Sequence, residues 1–338
     1  MIVLSMDLIV EIGNSHDGSL GIATSMVDMV ESTGAKCVKF QLHLPEFEST
    51  PDEPFRAKFS VQDQSRFDYW KRVNFTEEEW KYLANYTRSK GLEFLCTPFS
   101  IEAAKFLFHN NLVERWKVSS GDCTNLPLID YMTTTNLPML ISTGLASWEE
   151  ILKVRDRLGS LNYLDKVTFL HCVSQYPTKI ESAGLNIIDD LRKLSGKVGL
   201  SDHSGNWIVP LKAISLGIDT LEVHLTPNRY FFGPDVSSSL TTEEISKILE
   251  IEKIWTKLEN SSVDKKYFFD KAENERIIFR KGIYWSRDLK IGTKIRMEDI
   301  KFRKPVRGID AFDFENVLGK YLINDVNINQ PIQKSDFE

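Results

Sequence analysis

Short apolar segments alternate with longer amphipathic segments over most of the chain. Each short segment is typical of a buried parallel strand, and each longer one repeats its apolar residues with helical spacing. Strands are predicted at Leu8–Ile12, Cys37–Leu42 and Leu92–Thr97 near the start of the series, and at Val198–Ser201 and Leu221–Leu225 at its end. About eight strand–helix units span about 250 residues, which is the size of a (β/α)₈ TIM barrel. The pattern therefore predicts an α/β barrel.

Local motifs support this prediction. Thr76-Glu-Glu-Glu79 and Ser147-Trp-Glu-Glu150 are typical capping boxes at helix N-termini. No GxGxxG motif follows the first strand, which argues against a doubly wound dinucleotide-binding sheet. Residues 45–75 form an unusually long segment rich in Phe, Asp and Arg. We expect this segment to be a β–α loop that acts as a lid or an interface.

The alternation stops near residue 260. The composition turns polar there, and from Arg276 onward short apolar runs alternate with turn residues. We therefore expect a barrel domain at residues 1–262, a linker at 263–275 and a small β-rich domain at 276–338. A domain of about 60 residues buries little surface alone, so this one is expected to lean on a partner surface.

Composition narrows the class of protein. The 338 residues are 42% hydrophobic and carry a net charge of −6, without a basic block suited to nucleic acid. No apolar run reaches the roughly 18 residues of a membrane helix, and Met1–Gly13 has the acidic Asp7 but no basic region typical of a signal peptide. We expect a cytoplasmic protein with no nucleic-acid or membrane partner.

The four cysteines show no CxxC pair and fall in or beside predicted strands. We interpret them as reduced core residues and not as a disulfide framework or zinc site. They are Cys37, Cys96, Cys123 and Cys172.

Two histidines stand at equivalent places on consecutive predicted strands. His203 follows Val198-Gly-Leu-Ser-Asp202, and His224 ends Leu221-Glu-Val-His224. Active sites of α/β barrels lie at this carboxyl end of the strands, and imidazole suits metals such as Mn, Fe, Co or Zn. The alternative is two core histidines that are hydrogen-bonded to the backbone. The pairing, with Asp202 and Glu222 beside it, favours a metal site.

The other predicted strands also end in groups suited to phosphate, carboxylate or sugar. Lys39 and Lys117 lie inside apolar strands, where a structural role needs no charge, and they are the strongest candidates for binding an anion. Glu11 is a candidate general base or hydrogen-bond acceptor for a hydroxylated substrate. The alternative is a salt bridge to Lys39 on the neighbouring strand, and the two roles are compatible in turn. Asp235 either closes over the site or serves only a turn. The serines are phosphate donors in one interpretation and caps in the other. The further candidates are Gln41, Thr97, Ser120, Asp122, Ser142, Ser174, Tyr176 and Ser201.

These residues fall in motifs that we recognise. The chain resembles the N-acetylneuraminate (sialic acid) synthase family over essentially its whole length. The C-terminal segment resembles that family's antifreeze-like (SAF) domain. The matching motifs include Glu11-Ile-Gly-Asn-Ser-His16, Val38-Lys-Phe-Gln41, Lys117-Val-Ser-Ser-Gly-Asp122, Gly199-Leu-Ser-Asp-His203, Gly233-Pro-Asp235 and Asn316-Val-Leu-Gly319.

The resemblance implies condensation of phosphoenolpyruvate with an N-acylated amino-sugar aldehyde, giving a nine-carbon 2-keto sugar acid and phosphate. His203 and His224 would hold a divalent metal, Mn²⁺ or Mg²⁺, and Glu11 would handle protons. The residues implied for phosphoenolpyruvate are Lys39, Thr97, Lys117, Ser120, Ser142, Ser174 and Ser201. Those implied for the sugar are Gln41, Asp122, Tyr176 and Asp235.

The resemblance also implies a homodimer in which the small domain reaches across to the partner. Arg303, Lys304 or Arg307 would then add a basic group to the partner's sugar pocket. The chain departs from the family at Val223, where lysine is frequent, and at Ser174, where asparagine is common. These departures leave the acceptor open between ManNAc and a di-N-acetylated 6-deoxy sugar.

Two other interpretations remain open at this point. One is a pyruvate aldolase on the same barrel, either metal-dependent or forming a Schiff base through Lys39 or Lys117. The other is a sugar-binding protein without catalysis. The presence of Glu11, His203 and His224 argues against the second.

Overall fold

The computed structural model describes residues 6–338, and it divides into two compact units. The first unit is Met1–Asn260 and the second is Ser261–Glu338. The first five residues of the predicted barrel domain, and with them the start of the segment considered as a signal peptide, lie outside the described residues.

The first unit is built on eight parallel strands in the order β3-β2-β1-β8-β7-β6-β5-β4. The two terminal strands of that order, β3 and β4, also contact each other, which closes the sheet. The predicted (β/α)₈ barrel is therefore confirmed. The strands are β1 (Asp7–Gly13), β2 (Cys37–Leu42), β3 (Glu93–Pro98), β4 (Trp116–Val118), β5 (Met139–Ser142), β6 (Val167–Cys172), β7 (Val198–Asp202) and β8 (Thr220–His224).

Amphipathic helices follow the strands and cover the barrel. In α1 the buried residues Ala23, Met26, Val27 and Val30 recur at helical spacing. Both predicted capping boxes are present, at the starts of α4 and α7. The helices of this unit are α1 (Leu20–Thr33), α2 (Pro45–Glu48), α3 (Arg66–Val73), α4 (Glu77–Ser89), α5 (Ile101–His109), α6 (Leu126–Thr134), α7 (Trp148–Ser160), α8 (Ile188–Ser195), α9 (Ile208–Ser215) and α10 (Thr242–Asn260).

Residues 45–75 are more ordered than the expected loop. They contain α2 and α3, and α3 begins with a capping box at Ser65. Tyr69 and Trp70 of α3 pack with Phe55 and Phe59 in a small apolar cluster that is separate from the main core. This segment is therefore a built structure at one side of the barrel.

The interior of the barrel has an apolar layer below a polar one. Side chains alternate along a strand, so residues two apart share a face. The apolar members form their own cluster and close the floor of the barrel, and each precedes a polar side chain by two positions. The cluster is Ile9, Cys37, Leu95, Leu140 and Leu170, and the polar residues that follow are Glu11, Lys39, Thr97, Ser142 and Cys172.

The second unit has a small core of its own. It contains α11 (Lys265–Lys271), α12 (Glu273–Phe279), and the antiparallel strands β9 (Gly282–Trp285) and β10 (Ile300–Arg303). Most of the predicted linker, residues 263–275, is therefore helical and falls inside this unit. The core includes Ile283, Trp285, Ile295, Val317, Leu322 and Ile332.

The structure bears on two further predictions, which concern membrane-spanning helices and the state of the cysteines. Within residues 6–338, no helix has both the length and the apolar composition needed to cross a bilayer. All four cysteines are free and buried. Only Cys172 among them reaches the cavity described next.

Candidate active site

A cavity of about 640 Å³ opens at the carboxyl ends of the barrel strands. All barrel residues predicted to bind substrate or metal line it, and Glu11 lies beneath it in contact with Lys39. The polar layer above the apolar floor supplies its inner wall. The structure thus brings the predicted residues of all eight strands to one place. Those lining the cavity are Lys39, Gln41, Thr97, Lys117, Ser120, Asp122, Ser142, Ser174, Tyr176, Ser201, His203, His224 and Asp235.

The two histidines lie side by side, as the strand register requires. Asp202 pairs with Val223 across β7 and β8, so His203 and His224 come next at equal depth. Their ring centres are 5.2 Å apart, and both rings are buried. Asp202 has the opposite orientation along its strand and does not line the cavity.

The hydrogen bonds of His203 define which of its ring nitrogens faces the cavity. Its Nδ1 lies 3.0 Å from the carbonyl oxygen of Val173, and its Nε2 lies 3.1 Å from the hydroxyl of Tyr176. An N–H at Nδ1 that donates to the Val173 carbonyl leaves the lone pair of Nε2 to accept from the Tyr176 hydroxyl, so Nε2 would bind a metal only after that hydroxyl turns away.

The backbone carbonyl of His224 accepts from Leu240 N–H at 2.7 Å, but its imidazole ring makes no hydrogen bond to any of residues 6–338. Burial, partly offset by Asp235, lowers the pKa of His224 to about 3. The ring is therefore neutral near pH 7, the state in which imidazole binds metal. The alternative of two core histidines that both bond to the backbone describes His203 only.

The donor set fits a metal that keeps open positions. No group of three or more His, Cys, Asp or Glu side chains within the described part of the chain is arranged to enclose an ion. A pair of imidazoles is one ligand fewer than the three protein ligands typical of catalytic zinc sites, so water and substrate oxygens would have to fill the remaining positions of an ion held here.

Two lysines and two glutamates form a buried network beside the histidines. Lys39 Nζ is 2.8 Å from Glu11 Oε2 and 3.3 Å from Glu222 Oε2. Lys117 Nζ is 3.6 Å from Glu222 Oε1. All four side chains are almost completely buried. The salt bridge of Glu11 that the sequence left as an alternative is thus present.

The network makes its two carboxylates unequal. Burial raises the pKa of Glu11, and the charge of Lys39 only partly offsets this. Burial would also raise the pKa of Glu222, but the charges of Lys117 and Lys39 outweigh it and lower that pKa to about 2. Glu222 therefore keeps its negative charge to a lower pH than Glu11 does.

The two lysines also differ. Burial would lower the pKa of Lys39, but Glu11 and Glu222 outweigh burial and raise it. Burial lowers the pKa of Lys117, and the single partner Glu222 only partly offsets this. Lys39 is the firmly charged cation of the network.

Hydroxyl groups surround the lysines. Lys117 Nζ donates to Ser142 Oγ at 2.8 Å, and Lys39 Nζ donates to Thr97 Oγ1 at 3.3 Å. Ser201 Oγ donates to Glu222 at 2.7 Å. The backbone N–H of Gly144 donates to Ser120 Oγ at 3.2 Å. Four hydroxyls thus lie within one hydrogen bond of the charged network or of its neighbouring turn.

The predicted sugar-side residues occupy the outer part of the cavity. Gln41 Nε2 donates to Glu11 at 2.7 Å, and its Oε1 accepts from Asn14 at 3.0 Å. Asp122 accepts from Ser119 and Asn125, which hold it within its own loop. Gln41 therefore joins the outer cavity to the buried network, while Asp122 is mainly a loop residue in this state.

Several residues of the site had no predicted role. Glu222 had been noted only as a neighbour of His224, yet it contacts both lysines. Cys172, which the sequence predicts to be a core residue, lines the cavity, and its Sγ lies 3.7 Å from His203 Nδ1. Arg56 reaches the cavity from the segment between α2 and α3. The richness of residues 45–75 in Phe, Asp and Arg was the available signal, but it did not identify Arg56.

The three basic residues predicted to act in the partner subunit lie in the second unit. Arg303 ends β10, and Lys304 and Arg307 follow it; all three side chains are exposed. Arg303 Nη1 donates to Asn329 at 3.0 Å, and Lys304 Nζ lies 5.6 Å from the centre of the Phe279 ring. Their predicted role in a partner's pocket stays a prediction.

Comparison with known proteins identifies the family. Residues 26–263 match the model of the NeuB family, which is more than half of the chain. The chain belongs to the NeuB family. Residues 280–338 match the SAF domain, so the predicted resemblance is confirmed for both parts of the chain.

Named NeuB-type relatives match nearly end to end. The chain is 29% identical to N,N'-diacetyllegionaminic acid synthase of Legionella pneumophila, with 93% of this chain and 90% of that protein covered. It is 26% identical to pseudaminic acid synthase of Campylobacter jejuni, with 98% and 96% covered. The solved structure of N-acetylneuraminic acid synthetase from Leptospira borgpetersenii superimposes with a TM-score of 0.68 at 25% identity, covering 81% of this chain and 92% of that one.

Proposed function

We propose that this protein is a nonulosonic acid synthase that condenses phosphoenolpyruvate with an N-acetylated amino sugar. The product would be a nine-carbon 2-keto sugar acid, released with phosphate. The observation that carries the proposal is the buried network of Lys39, Lys117, Glu11 and Glu222 beside a histidine pair in one cavity. The relatives named as legionaminic and pseudaminic acid synthases support the same reaction class.

Phosphoenolpyruvate would bind at the inner wall. Lys39 and Lys117 would face its negative charges, and Ser142 and Thr97 already accept hydrogen bonds from these lysines and can in turn donate to a phosphate or carboxylate oxygen. Ser120, Ser174 and Ser201 complete the set. When Glu11 is protonated, the network carries one net positive charge, which favours an anion in this otherwise low-dielectric site.

The reaction would join two carbons and release phosphate. The enol carbon of phosphoenolpyruvate attacks the aldehyde carbon of the sugar, and the aldehyde oxygen takes a proton to become a hydroxyl. The attack uses the electrons of the enol double bond and leaves C2 electron-poor, so water adds at C2 and loses a proton. The resulting tetrahedral phosphohemiketal then expels phosphate to leave the 2-keto group. Glu11 would move protons here, because burial raises the pKa of its carboxyl and makes it a stronger base than an ordinary glutamate.

A divalent metal would assist the first of these steps. His203 and His224 would hold Mn²⁺ or Mg²⁺, since the His224 ring is neutral near pH 7 and the Val173 carbonyl orients the His203 ring. Such an ion supplies Lewis-acid polarisation of a carbonyl oxygen.

The acceptor would occupy the outer cavity. Gln41, Tyr176 and Asp235 line this part and present amide, hydroxyl and carboxylate groups to a sugar. Asp122 would also contact the sugar if its hydrogen bonds with Ser119 and Asn125 break. The acceptor is proposed to be ManNAc or a di-N-acetylated 6-deoxy sugar.

Phosphate release tests the proposal. Purified protein is incubated with phosphoenolpyruvate and a panel of N-acyl amino sugars, with and without MnCl₂, and the product mass is recorded. Metal-dependent phosphate release with one acceptor is expected. The lowered pKa of Lys117 also favours a second candidate, a Schiff-base aldolase, because that chemistry requires a neutral amine. Covalent trapping of pyruvate by borohydride would identify the aldolase, and sugar binding without turnover would identify a binding protein.

Substitution of Lys117 is expected to act on phosphoenolpyruvate. Lys117→Met removes the charged hydrogen-bond donor and keeps a side chain of similar bulk. The KM for phosphoenolpyruvate should therefore rise about 10- to 100-fold. The KM for the sugar should change less than about twofold. Lys105→Met, on the exposed face of α5, is the matched control. A rise in the sugar's KM alone would show that the two subsites are assigned the wrong way round.

We also propose that the active unit is a homodimer with exchanged C-terminal domains. Arg303→Ala, Lys304→Ala and Arg307→Ala are then compared with the exposed Lys334→Ala. One of the three should raise the sugar's KM about tenfold, because it removes a charged hydrogen bond to the acceptor. Mixing that variant with a Glu11→Gln subunit should restore part of the activity. Failure of every such mixture to regain activity would contradict the exchange.

A further inference from the structure

Arg56 stands over two of the proposed sugar-side residues. Its Nη2 donates to Asp235 Oδ1 at 2.6 Å, and its guanidinium carbon lies 3.9 Å from the centre of the Tyr176 ring. Asp235 follows β8 and Tyr176 follows β6, so one side chain from residues 45–75 joins two other loops of the barrel mouth.

The arrangement differs from an ordinary surface ion pair. The side chains of Arg56 and Asp235 are 41% and 25% exposed, and a pair of that exposure contributes little to stability. Both partners of Arg56 line the cavity, however, and the hydroxyl of Tyr176 lies 3.1 Å from His203 Nε2. The contact therefore controls the shape of the outer cavity more than it stabilises the fold.

The guanidinium suits both contacts at once. Its planar face stacks on a phenol ring while its edge donates to a carboxylate, a combination that the ammonium of lysine cannot reproduce. No other hydrogen bond of Arg56 is present within residues 6–338.

We propose that Arg56 is a positioning residue for the acceptor. It holds the Asp235 carboxylate and the Tyr176 ring in the orientation that receives the sugar. This inference rests on the proposed function, in which Asp235 and Tyr176 contact the sugar. It makes residues 45–75 a part of acceptor recognition and not a passive loop.

Steady-state kinetics with both substrates tests this role. Arg56→Ala is expected to raise the KM for the acceptor at least about tenfold, because both a cation–π contact and a charge-assisted hydrogen bond are lost. The KM for phosphoenolpyruvate should stay within about twofold, since its proposed residues lie at the inner wall. Arg56→Lys should recover part of the loss because it keeps the charge.

Lys58→Ala is the matched control. Lys58 is an exposed cation two residues away on the same segment and does not line the cavity. Its loss should leave both KM values unchanged. If Lys58→Ala raised the acceptor KM as much as Arg56→Ala, the effect would come from positive charge on the segment and not from the contacts of Arg56. This result would overturn the proposal.

A double variant separates positioning from an independent effect. Arg56→Ala should raise the acceptor KM by a smaller factor in the Asp235→Asn background than in the wild type, because the contact with Asp235 is already lost there and only the contact with Tyr176 remains to be removed. If the fold-changes in acceptor KM of the two single variants multiply fully in the double variant, the positioning role is contradicted. A lower acceptor KM in Arg56→Ala would also contradict it, because Arg56 would then obstruct the cavity.

Calorimetric measurement of acceptor-sugar binding distinguishes failure of the proposed Arg56 role from failure of the proposed synthase function. An active wild type whose Arg56→Ala variant binds and turns over the sugar normally would refute the role of Arg56 only. A wild type that binds a sugar through Arg56 but releases no phosphate would refute the synthase only. A wild type that binds no sugar in the panel would refute both.

Discussion

Replacing His224 with alanine is expected to reduce condensation at least about 10³-fold. Lewis-acid polarisation is worth several kcal/mol of barrier lowering, and each 1.4 kcal/mol corresponds to about a factor of ten in rate. His224 is the cleaner of the two histidines to remove, because its ring makes no hydrogen bond to any of residues 6–338. His203→Ala should lose similar activity but also frees the Val173 carbonyl and the Tyr176 hydroxyl.

Metal binding is measured separately from turnover. Titration of the wild type with MnCl₂ in a calorimeter should show a binding heat that is absent in His224→Ala. His109→Ala is the control, since His109 is exposed at the end of α5 and away from the cavity. Unchanged activity of His224→Ala after treatment with a chelator would refute the role of the histidine pair as metal ligands.

Glu222→Gln is expected to lower the free energy of unfolding by about 3 kcal/mol. The amide keeps the shape and can still accept from Ser201, but it leaves buried Lys117 without a carboxylate. Loss of one partner from a buried ion pair typically costs 3–5 kcal/mol because the remaining charge is uncompensated. Urea denaturation followed by far-UV circular dichroism measures this change. Glu149→Gln breaks the exposed pair with Lys153 and should cost less than about 1 kcal/mol.

The stabilisation from Glu222 should depend on pH in a defined direction. The carboxyl has a pKa of about 2 in the folded protein, below its ordinary value of 4.5. A lowered pKa stabilises the fold fully above the ordinary value, and this contribution is lost as the pH falls toward the folded value. The difference between wild type and Glu222→Gln should therefore be full at pH 7 and shrink between pH 4.5 and 2. A constant difference over that range would mean that the charge of Glu222 is not its cause.

The unequal pair of carboxylates connects stability with chemistry. Glu222 remains charged and contacts both lysines, so the proposed anion site would keep its geometry without substrate. Glu11 shares Lys39 but has a raised pKa, which leaves it free to exchange protons. One carboxylate would thus maintain the site while the other serves the reaction.

The barrel and most of its site were predictable from local sequence. Strand residues alternate between two faces, so Lys39 two positions after Cys37 must share its inward face, as Glu11 does with Ile9. The histidines at equal depth on β7 and β8 follow from the same register. The spacing of apolar residues and the positions where strands end depend on nearby residues only, so both can be predicted from the sequence.

The contacts among those residues were decided by the tertiary structure. Arg56 and Asp235 are 179 positions apart, and nothing in the residues near either one identifies the other. The same holds for Glu222, whose contact with two lysines depends on how the barrel brings β8 near β2 and β4. Burial and neighbouring charge also decide that the pKa of Glu11 is raised and the pKa of Glu222 is lowered. The sequence by itself therefore determined which side chains face the barrel mouth, whereas the path of the chain in space determined their partners and charge states.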